Sequence, residues 1–205
     1  MPVLVKICGI TRLEDALASV EAGADALGFN FFPASPRYVS PEVAGRIVSA
    51  LPAGIRKVGV FVNPEPEAVA RIQKTVGLDT VQLHGDEDPA LFTGVDPLWR
   101  ALRVDAAFRA DAIPPWPVEA ILLDGPAGVL YGGAGLPFDW AAARGIGRRI
   151  VIAGGLDAQN VAEAIRLAQP WGVDSCSRLE SAPGIKDHGR IRAFVKAVRD
   201  AVHHA

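Results

Sequence analysis

The stretch VLVKICGITRLEDALASVEAGADALGFNF, residues 3–31, sets two short apolar runs around one segment of a different period. Val3 to Ile7 and Asp25 to Phe31 carry apolar residues at successive positions, as parallel strands covered on both faces do. Between them LEDALASVEAG, 13–23, returns its apolar residues at helical spacing and closes on Gly23, the residue type that ends helices. The unit reads strand, helix, strand. Cys8 stands where the first strand runs out, ahead of a glycine and of the helix that opens near Thr11.

The same alternation continues along the chain. Further apolar runs are KVGVFV (57–62), DTVQLH (79–84), LWRALRV (98–104), EAILLD (119–124), RIVIAG (149–154) and GVDSCS (172–177). Helical periodicity marks PEVAGRIVSAL, PEAVARIQKTVG, AQNVAEAIRLA and HGRIRAFVKAVRDAV, with Ser40 and Pro41 as N-cap and first turn of the first of these and Gly77 closing the second. The connections after the fourth, fifth and sixth runs hold room only for short helices, and residues 125–137 are mostly Gly, Pro and Ala, the composition of a mobile loop. Eight such β units predict a (β/α)8 TIM barrel, with an open doubly wound sheet as the other fold of this alternation. No linker or low-complexity tract divides the chain, so residues 1–205 are read as a single barrel domain.

Composition narrows the function. Half of the 205 residues are apolar, enough for a sizeable core, and a net charge of −2 with scattered Lys and Arg offers no field for nucleic acid. The two cysteines, Cys8 and Cys176, lack metal-ligand spacing and form no disulfide framework, which fits a reducing, cytoplasmic setting. No secretory leader or apolar run of ~18 residues is present, so membrane insertion is not expected.

In a parallel barrel, chemistry gathers at the C-terminal ends of the strands. The polar residues there are Cys8, Arg37 in FPASPRYVS, Asn63, His84, Arg103 and Asp105, Asp124, then Gly154 and Gly155, and the segment DSCSRLES with Ser177 and Arg178. Cys8 is either a small buried hydrophobe or, beside Lys6 and before a helix N-terminus, a thiolate able to act as nucleophile or base. Asp124 in ILLDG is a turn cap or an acid, and on a barrel of eight it would face Cys8 across the mouth. Adjacent glycines after strand 7 form a tight turn or a backbone cradle for an anion. Arg37, stiffened by Pro33 and Pro36, suits a carboxylate, and His84 is a turn histidine or a ligand contact.

Together and in order, KICGIT (6–11), GFNFFPASPRYVS (28–40), KVGVFVN (57–63), VQLHGDE (81–87), LLDG (122–125), GGAGLPFDW (132–140), IAGGLDAQNV (152–161) and LESAPGIKD (179–187) resemble the phosphoribosylanthranilate isomerase family. The resemblance spans the whole chain. It implies an Amadori rearrangement in tryptophan biosynthesis, aminoaldose to aminoketose, without metal or other cofactor, on a small phosphosugar substrate. It also implies Cys8 as general base, Asp124 as general acid, Arg37 on the anthranilate carboxylate, and phosphate held by main-chain N–H groups around Gly154, Gly155 and the loop after strand 8 that holds Ser177; Arg178 in that loop either points away, adds charge to the phosphate site or remodels it. Two departures stand out. The family usually reads SSGVE where this chain has CSRLE (176–180), which puts Arg178 in place of a glycine. In the strand-6 loop, Ala134, Leu136 and Pro137 replace the usual residues of GGTG and the basic residue after it. The histidine-pathway isomerase on the same barrel uses two aspartates, and Cys8 speaks against it. A non-catalytic phosphometabolite-binding protein is the alternative of another class, against which the set of acid, base and carboxylate partners speaks.

Overall fold

In the computed structural model, residues 3–105, 107–125 and 139–203 are described. Eight parallel strands close into a barrel in chain order. They are β1 (Leu4–Cys8), β2 (Ala26–Asn30), β3 (Arg56–Phe61), β4 (Thr80–Leu83), β5 (Leu98–Arg103), β6 (Ala120–Asp124), β7 (Arg149–Ala153) and β8 (Gly172–Ser175). Helices α1 (Leu13–Glu21), α2 (Pro41–Ser49), α3 (Pro66–Val76), α4 (Val161–Ala168) and α5 (His188–His203) follow β1, β2, β3, β7 and β8. The open doubly wound sheet is thereby excluded, because β1 pairs with β8 as well as with β2.

Local chemistry sets the helix ends. Ser40 Oγ accepts from Val43 N at 3.3 Å and Pro41 starts α2, while Gly77 ends α3 in the left-handed conformation at φ +78°. After β4, β5 and β6 the described chain forms only 3₁₀ turns, at Pro89–Leu91, Ala110–Ala112 and Trp140–Ala143. Those segments are too short and too rich in Pro and Ala to carry an amphipathic stripe. A feature absent from the sequence reading is the antiparallel hairpin β9 (Glu180–Ala182) and β10 (Ile185–Lys186), turning on Pro183 and Gly184 between β8 and α5.

Strand alternation divides the core in two. Side chains such as Leu27, Phe29, Leu83, Ile121, Leu123 and Ile152 pack outward against the helices. A smaller inner cluster of Ala26, Val58, Trp99, Ala101, Ala120, Leu122, Val151 and Ala153 fills the barrel. The N-terminal mouth is plugged by Trp99 and Trp171 in edge contact, centroids 5.6 Å apart, with the Arg56 guanidinium over both rings. Glu119 ties this end together, accepting from Trp99 Nε1 at 2.8 Å and from Arg56 and Arg149 at 2.6 Å each. The parity that sends Leu122 inward sends Asp124, two residues on, into the opposite mouth.

Candidate active site

At the C-terminal mouth a cavity of about 240 Å³ is lined by Cys8, Arg37, His84, Asp124, Gly154, Gly155, Ser177 and Arg178, together with Asn30, Gln82, Asp174 and Cys176. All eight site residues anticipated from the sequence border this one space. Asn63 does not. Its side chain braces the loop after β4, Oδ1 accepting from Asp86 N at 2.8 Å. The departures at Ala134, Leu136 and Pro137, and the loop to which they belong, lie outside the described residues. Among the described residues, no group of three or more His, Cys, Asp or Glu is placed to hold a metal ion, and no helix is long and apolar enough to cross a membrane.

The floor is ionic. Lys6, fully buried, and Asp174 form an ion pair at 2.9 Å between β1 and β8, where they are register partners. Burial alone would lower the Lys6 pKa, but the charges of Asp174 and Cys8 outweigh it and hold Lys6 protonated. Burial pushes the Asp174 carboxyl up to about 7, against the pull of Lys6.

Cys8 sits on that floor. Its thiol is held well below its ordinary pKa, first by a hydrogen bond from Cys176, then by the charges of Lys6 and Lys186, all against the upward push of burial. The cationic neighbour expected from the sequence is present in Lys6. The largest influence, Cys176, was not among the expected ones, and α1 begins at Leu13.

Arg37 reaches the cavity from the loop after β2. Its Nε and Nη2 donate to the two oxygens of Glu180 at 2.8 and 2.7 Å, a side-on bidentate pair. The Glu180 carboxyl is pushed up by burial, yet the Arg37 hydrogen bonds and the Lys186 charge bring it below the usual carboxylate range. Nη1 takes no part in that pair.

On the far wall, His84 Nε2 stands 3.1 Å from Asp124 Oδ2, and His84 Nδ1 stands 3.0 Å from Gln82 Nε2. The histidine therefore touches the aspartate directly while lining the cavity, a contact the sequence reading did not foresee. Gln82 Oε1 is buried and has no hydrogen-bond partner among the described residues.

The turn after β7 needs its glycines for two reasons. Gly154 and Gly155 adopt φ +88° and +69°, and a Cβ on Gly154 would stand 2.4 Å from Gly125 O. Gly154 thus serves the packing of β7 against β6 as well as the backbone of the mouth. Asn160 Nδ2 donates to Gly155 O at 3.0 Å, and Ser175 Oγ donates to Leu156 O at 2.6 Å, bracing this turn against β8. Ser177 and Arg178 open the 3₁₀ turn Ser177–Leu179 beside it.

A family model described as N-(5'-phosphoribosyl)anthranilate (PRA) isomerase matches residues 5–197. N-(5'-phosphoribosyl)anthranilate isomerase of Solibacter usitatus is 52% identical over 97% of this chain and 98% of its own length. Crystal structures of phosphoribosyl anthranilate isomerase from Thermotoga maritima and Thermus thermophilus superpose with TM-scores of 0.82 and 0.85 at 41% and 35% identity, each over 97% of this chain and 99% of theirs. A further structure of that enzyme, 40% identical with TM-score 0.81 over 97% of this chain and 99% of its own, holds reduced 1-(o-carboxyphenylamino)-1-deoxyribulose 5-phosphate.

Proposed function

This chain belongs to the N-(5'-phosphoribosyl)anthranilate isomerase family, and from that premise we propose how its cavity divides the work of the reaction. The chain isomerises N-(5-phosphoribosyl)anthranilate to 1-(2-carboxyphenylamino)-1-deoxyribulose 5-phosphate, an aldose-to-ketose step of tryptophan biosynthesis. One observation carries the assignment of roles: Cys8 and Asp124, from β1 and β6, border the same cavity with β7 and β8 between them. A cytoplasmic location goes with this role and with two free thiols.

The furanose must open before carbon can lose a proton. Asp124 donates to the ring oxygen, the C1′–O bond breaks, and the anilino nitrogen stabilises the cation as a protonated Schiff base. Asp124 is set up for this by His84. His84 Nε2 stands 3.1 Å from Asp124 Oδ2 and Gln82 holds the other ring nitrogen at 3.0 Å, so the carboxyl group is kept in place at the cavity wall. The Cys8 thiolate then removes the proton from C2′, the electron pair moves to the Schiff base, and the resulting enolamine tautomerises to the ketone. Lys6, buried beneath the sulfur, keeps negative charge there affordable.

Binding falls to the rim. Arg37, already aligned by Glu180, has Nη1 for the anthranilate carboxylate. His84 borders the substrate from the β4 end. The phosphate is held by main-chain N–H groups around Gly154, Gly155 and Ser177, with the Arg178 guanidinium adding charge from the same rim. A steady-state isomerase assay on wild type and Arg178→Gly tests the last point. The variant should show a raised KM and weaker inhibition by inorganic phosphate, with kcat nearly unchanged. Equal phosphate inhibition in the two proteins would remove Arg178 from the site.

A further inference from the structure

The register of β1 and β8 pairs Lys6 with Asp174 and Ile7 with Ser175. One residue further, Cys8 ends β1 and Cys176 lies just past the end of β8, at φ −133° and ψ −87°. Both thiols are free and both line the cavity. The Cys176 sulfur stands 2.8 Å from where a Cβ on Gly9 would lie, beside Cys8. Behind it, Lys186 Nζ donates to Cys176 O at 3.1 Å and lies 3.7 Å from Cys176 Sγ. The other acceptor in reach of the Cys176 thiol is Glu180 Oε1 at 3.9 Å, but Arg37 and Lys186 already donate to that oxygen at 2.8 and 3.0 Å.

We propose that Cys176 is a positioning residue for the isomerisation, donating its S–H to the Cys8 sulfur so that Cys8 stays a thiolate, with Lys186 fixing Cys176 from behind. The proposal rests on the reading of Cys8 as the base. The charged and titratable groups around Cys8 are Lys6 on its own strand, Asp174 and Cys176 on the β8 side, Lys186 on β10, Arg37 after β2 and Asp124 on β6. Lys6 shares its charge with Asp174, and Arg37 shares its own with Glu180, so a neutral donor on the same cavity wall acts where the cations are partly spent. The proton stays on Cys176, whose thiol is pushed well above its ordinary pKa by the bond to Cys8, by burial and by the Cys8 charge.

The chain has only two cysteines, so in any Cys176 variant a thiol signal belongs to Cys8. The experiment titrates Cys8 by thiolate absorbance at ultraviolet wavelengths and by its rate of alkylation with iodoacetamide, in Cys176→Ala and Cys176→Ser, beside pH profiles of kcat/KM. Loss of one hydrogen bond should raise the Cys8 pKa in Cys176→Ala by about one pH unit. The acid limb of kcat/KM should move by the same amount, with KM little changed. Cys176→Ser, which keeps a donor, should titrate within a few tenths of a unit of wild-type Cys8. Cys176→Val, close in volume and without a donor, takes the place of the alanine variant if that protein does not fold. An unshifted Cys8 in the donor-less variant overturns the proposal, as does a serine variant shifted as far as alanine. The alkylation titration reads the thiol pair whether or not Cys8 is the base. A failure of that reading shows separately, as Cys8→Ser retaining turnover.

Discussion

Removing the Arg37 guanidinium tests how the cavity selects its substrate. Arg37 is fixed by two hydrogen bonds to Glu180, at 2.8 and 2.7 Å, before substrate arrives, so little side-chain entropy remains to be lost on binding. Hydrogen bonds to charged groups contribute about 1.5–3 kcal/mol each. Nη1 offers two N–H groups, about 3–6 kcal/mol before screening, and with the Arg37 side chain 24% exposed solvent screening trims the carboxylate contact to about 2–3 kcal/mol, roughly 30- to 150-fold in affinity. Arg37→Ala should therefore raise KM by that factor while kcat falls only severalfold. The same change strips Glu180 of two donors but leaves Lys186 at 3.0 Å, so urea unfolding should confirm a folded protein before kinetics are read. The decisive comparison uses two inhibitors, the reduced product analogue and its counterpart with phenyl in place of carboxyphenyl. Wild type should discriminate between them by the same 30- to 150-fold, and Arg37→Ala should not discriminate. Full discrimination retained in Arg37→Ala would refute the assignment, whatever happens to KM.

Three other outcomes follow from the geometry. Glu119→Ala, at the closed end of the barrel, leaves the buried Trp99 indole N–H without its acceptor and should cost about 1–3 kcal/mol in urea unfolding, with kcat and KM unchanged. Glu180, whose carboxyl is held below its ordinary 4.5, contributes stability that is present above that value and is lost as pH falls through the folded-state value. Wild type should accordingly lose stability relative to Glu180→Gln as unfolding is followed from pH 6 to pH 3, and parallel curves would contradict the ion-pair account. Neighbouring strands run roughly 5 Å apart, so thiols at the adjoining ends of β1 and β8 come within disulfide range. Diamide, which takes up two hydrogens as the thiols join, should abolish activity with a mass loss of about 2 Da, and dithiothreitol should restore both. Loss of activity without the Cys8–Cys176 crosslink would mean that the sulfurs do not meet.

The strands were legible because parallel strands covered on both faces must be apolar at successive positions, and the helices because a stripe toward the sheet repeats at 3.6 residues. Ser40, Pro41 and Gly77 marked helix ends through capping chemistry that acts within a few residues. The segments 89–91, 110–112 and 140–143 form single 3₁₀ turns, too short for any period to register, and the β9–β10 hairpin was signalled only by Pro183-Gly184. In the site, the rule that chemistry lies at strand ends brought Cys8, Arg37, His84 and Asp124 to one list. It could not see Gln82, which lies inside β4 beside His84, and it did not single out Asp174 within DSCSRLES, whose partner Lys6 appears only when the closed register sets β8 beside β1. Nor could it join Cys176 to Cys8, since the two share a cavity only because the last strand of the barrel returns to the first.

The account stands on a thiolate and a carboxyl group acting on one sugar from opposite sides of a single cavity. Single-turnover reactions of Cys8→Ser and Asp124→Asn with substrate deuterated at C2′ test this most directly, following ring opening by loss of substrate fluorescence and carbon deprotonation by release of label to water. Each variant should fold as wild type and turn over about 10²- to 10⁴-fold more slowly, with Cys8→Ser retaining its label and Asp124→Asn stalled before the ring opens. Either variant reacting within threefold of the wild-type rate, or Cys8→Ser losing label at the wild-type rate, would contradict it.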